Sequence, residues 1–133
     1  MLKAKITKEL VVKVRNEIGV LANLTKLIAE KGVNIFAANA WVEGSDAVVR
    51  LVTDDNLRAV DAHRAKSYNP REQDVVAVET PHKPGLLRHV TEKLATAGID
   101  LHHLYASATA NQDQCLIIFA CANNDHAVVL LNS

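Results

Sequence analysis

Two polar turns carry the residues best suited to hold a small charged ligand. Residues 16–21 read Asn-Glu-Ile-Gly-Val-Leu, and residues 82–87 read His-Lys-Pro-Gly-Leu-Leu. Gly19 and Gly85 each precede an apolar helical stripe, so both turns feed a helix N-terminus. Free backbone N–H groups at such a terminus favour an anion such as a carboxylate. Glycine also lets a ligand approach the backbone without a Cβ in the way. Thirteen residues after each glycine stands a second one, in Gly32-Val33-Asn34-Ile35 and Gly98-Ile99-Asp100-Leu101. The side-chain oxygens of Asn16 and Asn34 in the first copy, and of Asp100 in the second, can accept from a ligand cation. Charge assistance makes Asp100 the stronger acceptor. Taken singly, Asn16 is an ordinary turn residue, and Asn34 and Asp100 follow capping glycines, where such types are common. Their recurrence at matched spacing is what draws attention to the loops as a group.

Other chemistries lack their signatures. His82, His89, His102 and His103 fall in the second copy, but His102 and His103 are neighbours in a strand and face opposite ways. No Cys-His or His-Glu-x-x-His spacing accompanies them, so no metal and no cofactor is expected. Cys115 and Cys121 lie in an apolar run and read as buried thiols, neither nucleophile nor disulfide framework. There is no Gly-x-Ser-x-Gly elbow and no phosphate loop, so no catalytic residue is expected. A hydrolase of acylphosphatase type would need an arginine in the first turn. Arg15 only precedes that turn, and the second copy has none there. RNA recognition would need stacked aromatics beside basic residues, whereas Phe36, Trp41, Tyr105 and Phe119 have no basic flanks.

The composition agrees. Of 133 residues, 49% are hydrophobic, which excludes a disordered chain. Fifteen basic residues match fifteen acidic ones, with no basic stripe, so no nucleic-acid partner is expected. Apolar runs are far below spanning length and the N-terminus lacks a signal-peptide core, so no membrane is expected and the cytoplasm is the expected location.

The elements that must position the turns occur twice, at an offset of 66 residues. Leu10, Val12 and Val14 alternate as a half-buried strand. Val20, Leu21, Leu24, Leu27 and Ile28 recur at helical spacing, and Gly32 closes that helix. Residues 34–42 and 47–52 read as a hairpin, and Thr53-Asp54-Asp55 caps a helix through Leu57, Val60 and Ala62. The polar stretch Ser67–Asp74 is the junction, with room for a short closing strand. The second copy gives a strand at Val75–Glu79 and a helical stripe of Leu86, Leu87, Val90, Leu94 and Ala95. Strands at 100–108 and 114–120 and a short helix after Asn123 follow. The chain stops there, so the second copy lacks its last strand. Strand-helix-strand repeated in this way is the split βαβ, ferredoxin-like arrangement. The expected fold class is therefore α+β, with two βαββαβ units at residues 1–70 and 71–133, helices on one face of each antiparallel sheet. Copies this short are marginal alone, so they should share a core or dimerise.

At this point the residues resemble the ACT domain family, small regulatory modules that bind amino acids. The first copy offers Asn16-Glu17-Ile18-Gly19-Val20-Leu21 and Ala29-Glu30-Lys31-Gly32-Val33-Asn34-Ile35. The second offers His82-Lys83-Pro84-Gly85-Leu86-Leu87 and Ala95-Thr96-Ala97-Gly98-Ile99-Asp100-Leu101. Leu101-His102-His103-Leu104-Tyr105-Ala106 is also similar to free-standing tandem ACT proteins. The resemblance implies ligand binding at interfaces between ACT units. The implied contacts are Asn16, Ile18, Gly19, Val20, Leu21 and Asn34 in the first copy. In the second they are His82, Pro84, Gly85, Leu86, Leu87 and Asp100. The family's usual proline is Ile18 here, and its usual asparagines are His82 and Asp100, so the two sites are not expected to be equal.

The reading that follows is a non-catalytic regulatory sensor of an amino acid, acting as a homodimer and through a regulated protein partner. Its rivals are a ligand-free assembly module and, further off, the small acylphosphatase-like hydrolase.

Overall fold

A computed structural model describes residues 2–111 and 113–133. Met1, and Gln112 in the loop read at Thr109–Asp113, lie outside the described residues. The elements are β1 (Lys3–Arg15), α1 (Val20–Ala29), β2 (Ile35–Glu43), β3 (Asp46–Thr53) and α2 (Asn56–Arg64). They continue with β4 (Arg71–Pro81), α3 (Leu86–Thr96), β5 (Leu101–Ala108), β6 (Gln114–Cys121) and α4 (Asn124–Asn132). The fold is α+β, with ferredoxin-like units in tandem. Two compact units divide the chain, one formed by Lys8–Gln73 and the other by the described residues of Met1–Thr7 and Asp74–Ser133.

In the unit of Lys8–Gln73, β3 pairs antiparallel with both β1 and β2. Leu10 stands opposite Leu51 and Val12 opposite Val49, and side-chain alternation turns all four to one face. Leu24 and Ile28 of α1, one turn apart, meet that face together with Ala59 and Val60 of α2. The reverse face carries Glu9 and Arg50. Glu9 is fully buried, and its Oε1 accepts from Arg50 Nη1 at 2.7 Å and from Gln73 Nε2 at 3.3 Å. The guanidinium lies 5.3 Å from the Trp41 ring centroid, a cation–π contact. β2 is the outer strand, and its Phe36 and Val42 are 57% and 56% exposed.

In the other unit β6 pairs antiparallel with β4 and β5. Val76 opposite Phe119 and Val78 opposite Ile117 build the core with Val90 and Leu94 of α3 and Ala127 and Leu131 of α4. Among the described residues no strand follows α4. The start of β1 belongs to this unit instead, with Ala4 buried in its core. Asn132, at the end of α4, holds Ala4 from both sides: it accepts the Ala4 N–H at 2.8 Å and donates to the Ala4 carbonyl at 2.9 Å. The alternation read from the sequence began at Leu10, whereas β1 begins at Lys3. The earlier residues, Lys3-Ala4-Lys5-Ile6-Thr7, bury little beyond one methyl group and so give a weak periodic signal. The junction behaves likewise: β4 starts at Arg71, inside the polar stretch, because Val75 to Val78 bury a continuous run behind it.

Candidate functional site

The two turns are built alike. Gly19 and Gly85 have φ of 87° and 84°, a left-handed conformation that an L side chain resists, which explains glycine at both places. Each turn closes locally, Val20 N–H donating to the Glu17 carbonyl at 3.1 Å and Leu86 N–H to the Lys83 carbonyl at 3.2 Å. Neither helix has a side-chain cap or an acidic residue in its first turn. The other two helices are capped, α2 by Asp55 accepting from Arg58 N–H and α4 by Asn123 accepting from His126 N–H. The α1 and α3 N-termini therefore keep an uncompensated positive end.

The predicted contacts scatter around these termini. Asn16 is exposed, and its N–H donates to the Ser45 carbonyl at 2.8 Å. Ile18 projects fully into solvent, Leu21 is 43% exposed, and Val20 is half-buried. Asn34 closes a reciprocal bridge: its N–H donates to Asp54 Oδ1 at 2.9 Å and its carbonyl accepts the Asp54 N–H at 3.1 Å. In the second copy His82, Pro84 and Asp100 are exposed and Leu87 is 46% exposed, whereas the Leu86 side chain belongs to the core. The Asp100 carbonyl accepts the Ala122 N–H at 3.0 Å.

An open groove of about 450 Å³ lies in the first copy, against Asn34. Ala22, Thr25, Lys26 and Ala29 of α1 form one wall, and Val33, Asn34 and Ile35 form the other. Its volume falls in the range of small-molecule clefts. Of the predicted first-copy contacts, Asn34 lines it, while Asn16, Ile18, Gly19, Val20 and Leu21 stand at the helix terminus. Sequence reasoning passed over the helical wall. Its signal was present, since residues 22, 25, 26 and 29 recur at the spacing of one helix face. They were overlooked because that face is not the apolar one. Lys26 has no ion-pair partner among the described residues, and Thr25 donates back to the Leu21 carbonyl at 3.0 Å.

The remaining candidates stand apart. His102 is exposed, while His103 is half-buried and stacks on Tyr105 at 6.2 Å. Among the described residues no three His, Cys, Asp or Glu side chains gather as a metal site would need. Cys115 and Cys121 are buried and unpaired by disulfide, and burial raises the Cys121 thiol above its ordinary range, which keeps it protonated. Among the described residues no helix is long and apolar enough to cross a membrane.

This fold recurs in solved structures. A protein from Bacteroides thetaiotaomicron superposes with a TM-score of 0.88 at 22% identity, covering 98% of this chain and 89% of that one. The regulatory subunit of aspartate kinase from Thermus thermophilus gives 0.71 at 13% identity, covering 97% and 94%. A putative C-terminal regulatory domain of aspartate kinase from Porphyromonas gingivalis gives 0.58 at 13%, covering 99% and 95%. Identities this low establish a shared fold alone. No curated protein matches the chain. A family model described as an ACT domain pair matches residues 5–133, nearly the whole length, and with both glycine turns and the doubled strand-helix-strand order already in hand the chain belongs to the ACT domain family.

Proposed function

We propose that this protein is a non-catalytic regulatory module that senses a free amino acid. The groove beside Asn34 carries the reading: an open groove of ligand-sized volume lies against a residue that the repeat and the family resemblance together had marked. Two further features support it. The α1 and α3 N-termini lack side-chain caps, so their positive ends favour a carboxylate nearby. The superposed aspartate kinase subunit and domain are themselves described as regulatory.

The groove is open on one side, and a second copy of the chain is the lid we propose, giving a homodimer. Ligand and dimer geometry would then be linked, because a ligand that contacts both copies favours the arrangement in which both contacts exist. Output passes to a regulated protein partner. A thermal-shift screen over the twenty amino acids tests this. A sensor shows a rise in melting temperature that grows with ligand concentration, following the logarithm of occupancy. A flat response to all twenty sinks the reading.

A ligand-free assembly module is the second reading, favoured by exposed Phe36 and Val42 on the outer strand β2. Apolar side chains on an open edge strand invite pairing. A stable dimer combined with that flat thermal response is what this alternative requires.

A further inference from the structure

The two copies align without gaps from the first turn to the second strand, so their grooves can be compared position by position. Ala22, Thr25, Lys26 and Ala29 correspond to Arg88, Thr91, Glu92 and Ala95, and Asn34 corresponds to Asp100. The threonines behave alike, Thr91 donating to the Leu87 carbonyl at 2.9 Å as Thr25 does to that of Leu21. The charges do not. In the first copy a methyl group at Ala22 leaves the groove open beside an unpaired Lys26 ammonium. In the second, Arg88 Nε donates to Glu92 Oε1 at 2.7 Å across one helical turn. That pair occupies the positions of Ala22 and Lys26. It puts a long side chain where the first copy has a methyl, and it neutralises the cation. An exposed pair of this kind contributes little to stability, but it sets a carboxylate where the first copy has the Lys26 ammonium.

The acid is also placed differently. The Asp54 carboxylate accepts the Asn34 N–H at 2.9 Å and so stands at the Asn34 end of the groove. Its counterpart beside Asp100 is Ala122, whose N–H repeats the backbone bond but which has no carboxylate. The first copy thus sets an ammonium without an ion-pair partner among the described residues and a neutral amide in the lining of the groove, a carboxylate hydrogen-bonded to Asn34, and apolar surface from Ala22, Ala29, Val33 and Ile35. A free α-amino acid is the complement of that set.

We propose that the first unit alone takes the amino acid, and that it selects one with an aliphatic side chain. Lys26 receives the ligand carboxylate, Asn34 and Asp54 receive its ammonium, and Ala22, Ala29 and Ile35 cover the hydrocarbon. This rests on the sensor reading above and adds to it the stoichiometry, the ligand class and the residue that recognises the carboxylate.

Calorimetric titration of the full chain with L-valine, L-leucine, L-isoleucine, L-aspartate and L-lysine tests it. At least one aliphatic amino acid binds with one site per chain. Lys26→Glu, which copies the charge of the second unit, weakens binding by about tenfold or more, the factor lost with one charge-assisted contact. Glu92→Gln leaves affinity unchanged within about twofold, because an exposed pair outside the proposed site contributes little. Lys26 is exposed, and an unaltered melting curve without ligand shows that the variant is folded. Two equal sites per chain, full affinity in Lys26→Glu, or binding of aspartate or lysine in place of the aliphatic ligands overturns the proposal and leaves the sensor reading standing. Silence towards all twenty amino acids in the thermal screen removes both.

Discussion

Acidification should weaken the unit of Lys8–Gln73 through a single imidazole. His63, on α2, is fully buried. Its Nε2 lies 3.0 Å from the Leu24 carbonyl, which can only accept, so Nε2 carries the proton of the neutral ring. Nδ1 then presents a lone pair, and it has no hydrogen-bond partner. The Tyr68 ring meets it edge-on at 6.0 Å between centroids. A second proton would create a cation in the core with nothing to accept from Nδ1, and burial accordingly pushes His63 below its ordinary value of 6.5, against a weaker opposing effect of the Leu24 bond. Above pH 6.5 neither the folded nor the unfolded chain holds that proton. Below 6.5 the unfolded chain binds it and the folded chain does not, so stability falls as pH falls until the folded-state value is reached. The slope has a ceiling of about 1.4 kcal/mol per pH unit. Against a typical total of about 5–15 kcal/mol this is a measurable fraction. Urea unfolding between pH 8 and pH 5, compared with His63→Leu, isolates the contribution, because carboxylates and exposed histidines titrate equally in both proteins. With a slope of about 1–3 kcal/mol per molar urea, each pH unit below 6.5 moves the wild-type midpoint by up to about 0.5–1.4 M relative to the variant. Parallel stability curves for the two proteins across that range would refute the reasoning.

Other perturbations test the remaining packing. Arg50→Met removes the guanidinium paired with the buried Glu9 carboxylate and should cost about 3–5 kcal/mol in urea unfolding, most of it recovered in the Glu9→Leu/Arg50→Met double variant. Gly19→Ala should cost about 1–2 kcal/mol from the left-handed backbone alone, since an added Cβ meets no atom within 4 Å. Gly85→Ala, at nearly the same φ, should match it in thermal melts. Asn132→Ala removes both bonds to Ala4 and should cost about 1–3 kcal/mol, with faster hydrogen exchange at the Ala4 amide as the local sign.

Much of this molecule is legible in local pattern. Alternation at Leu10, Val12 and Val14 and helical spacing at Leu24 and Ile28 specify which face each element buries, because both periods are properties of the backbone. The glycines at 19 and 85 announce left-handed turns, and the doubled order of elements announces two related units. The unequal residues at 34 and 100, and the i,i+4 pair of Arg88 and Glu92, can also be read from the chain alone. Tertiary structure decided what no periodicity encodes. Ala4 meets Asn132 across 128 positions of sequence, so the start of the chain joins the second unit through contacts that have no local signature. Glu9 finds Arg50 only after β1 and β3 pair, and His63 reaches the Leu24 carbonyl only once α2 packs beside α1. The groove arises in the same way. Its helical wall faces away from the apolar stripe, and it becomes a cleft only when the chain turns back after α1 and sets Asn34 alongside Lys26. Periodicity tells each element which side to bury, whereas a cleft depends on how the unburied sides come to face each other.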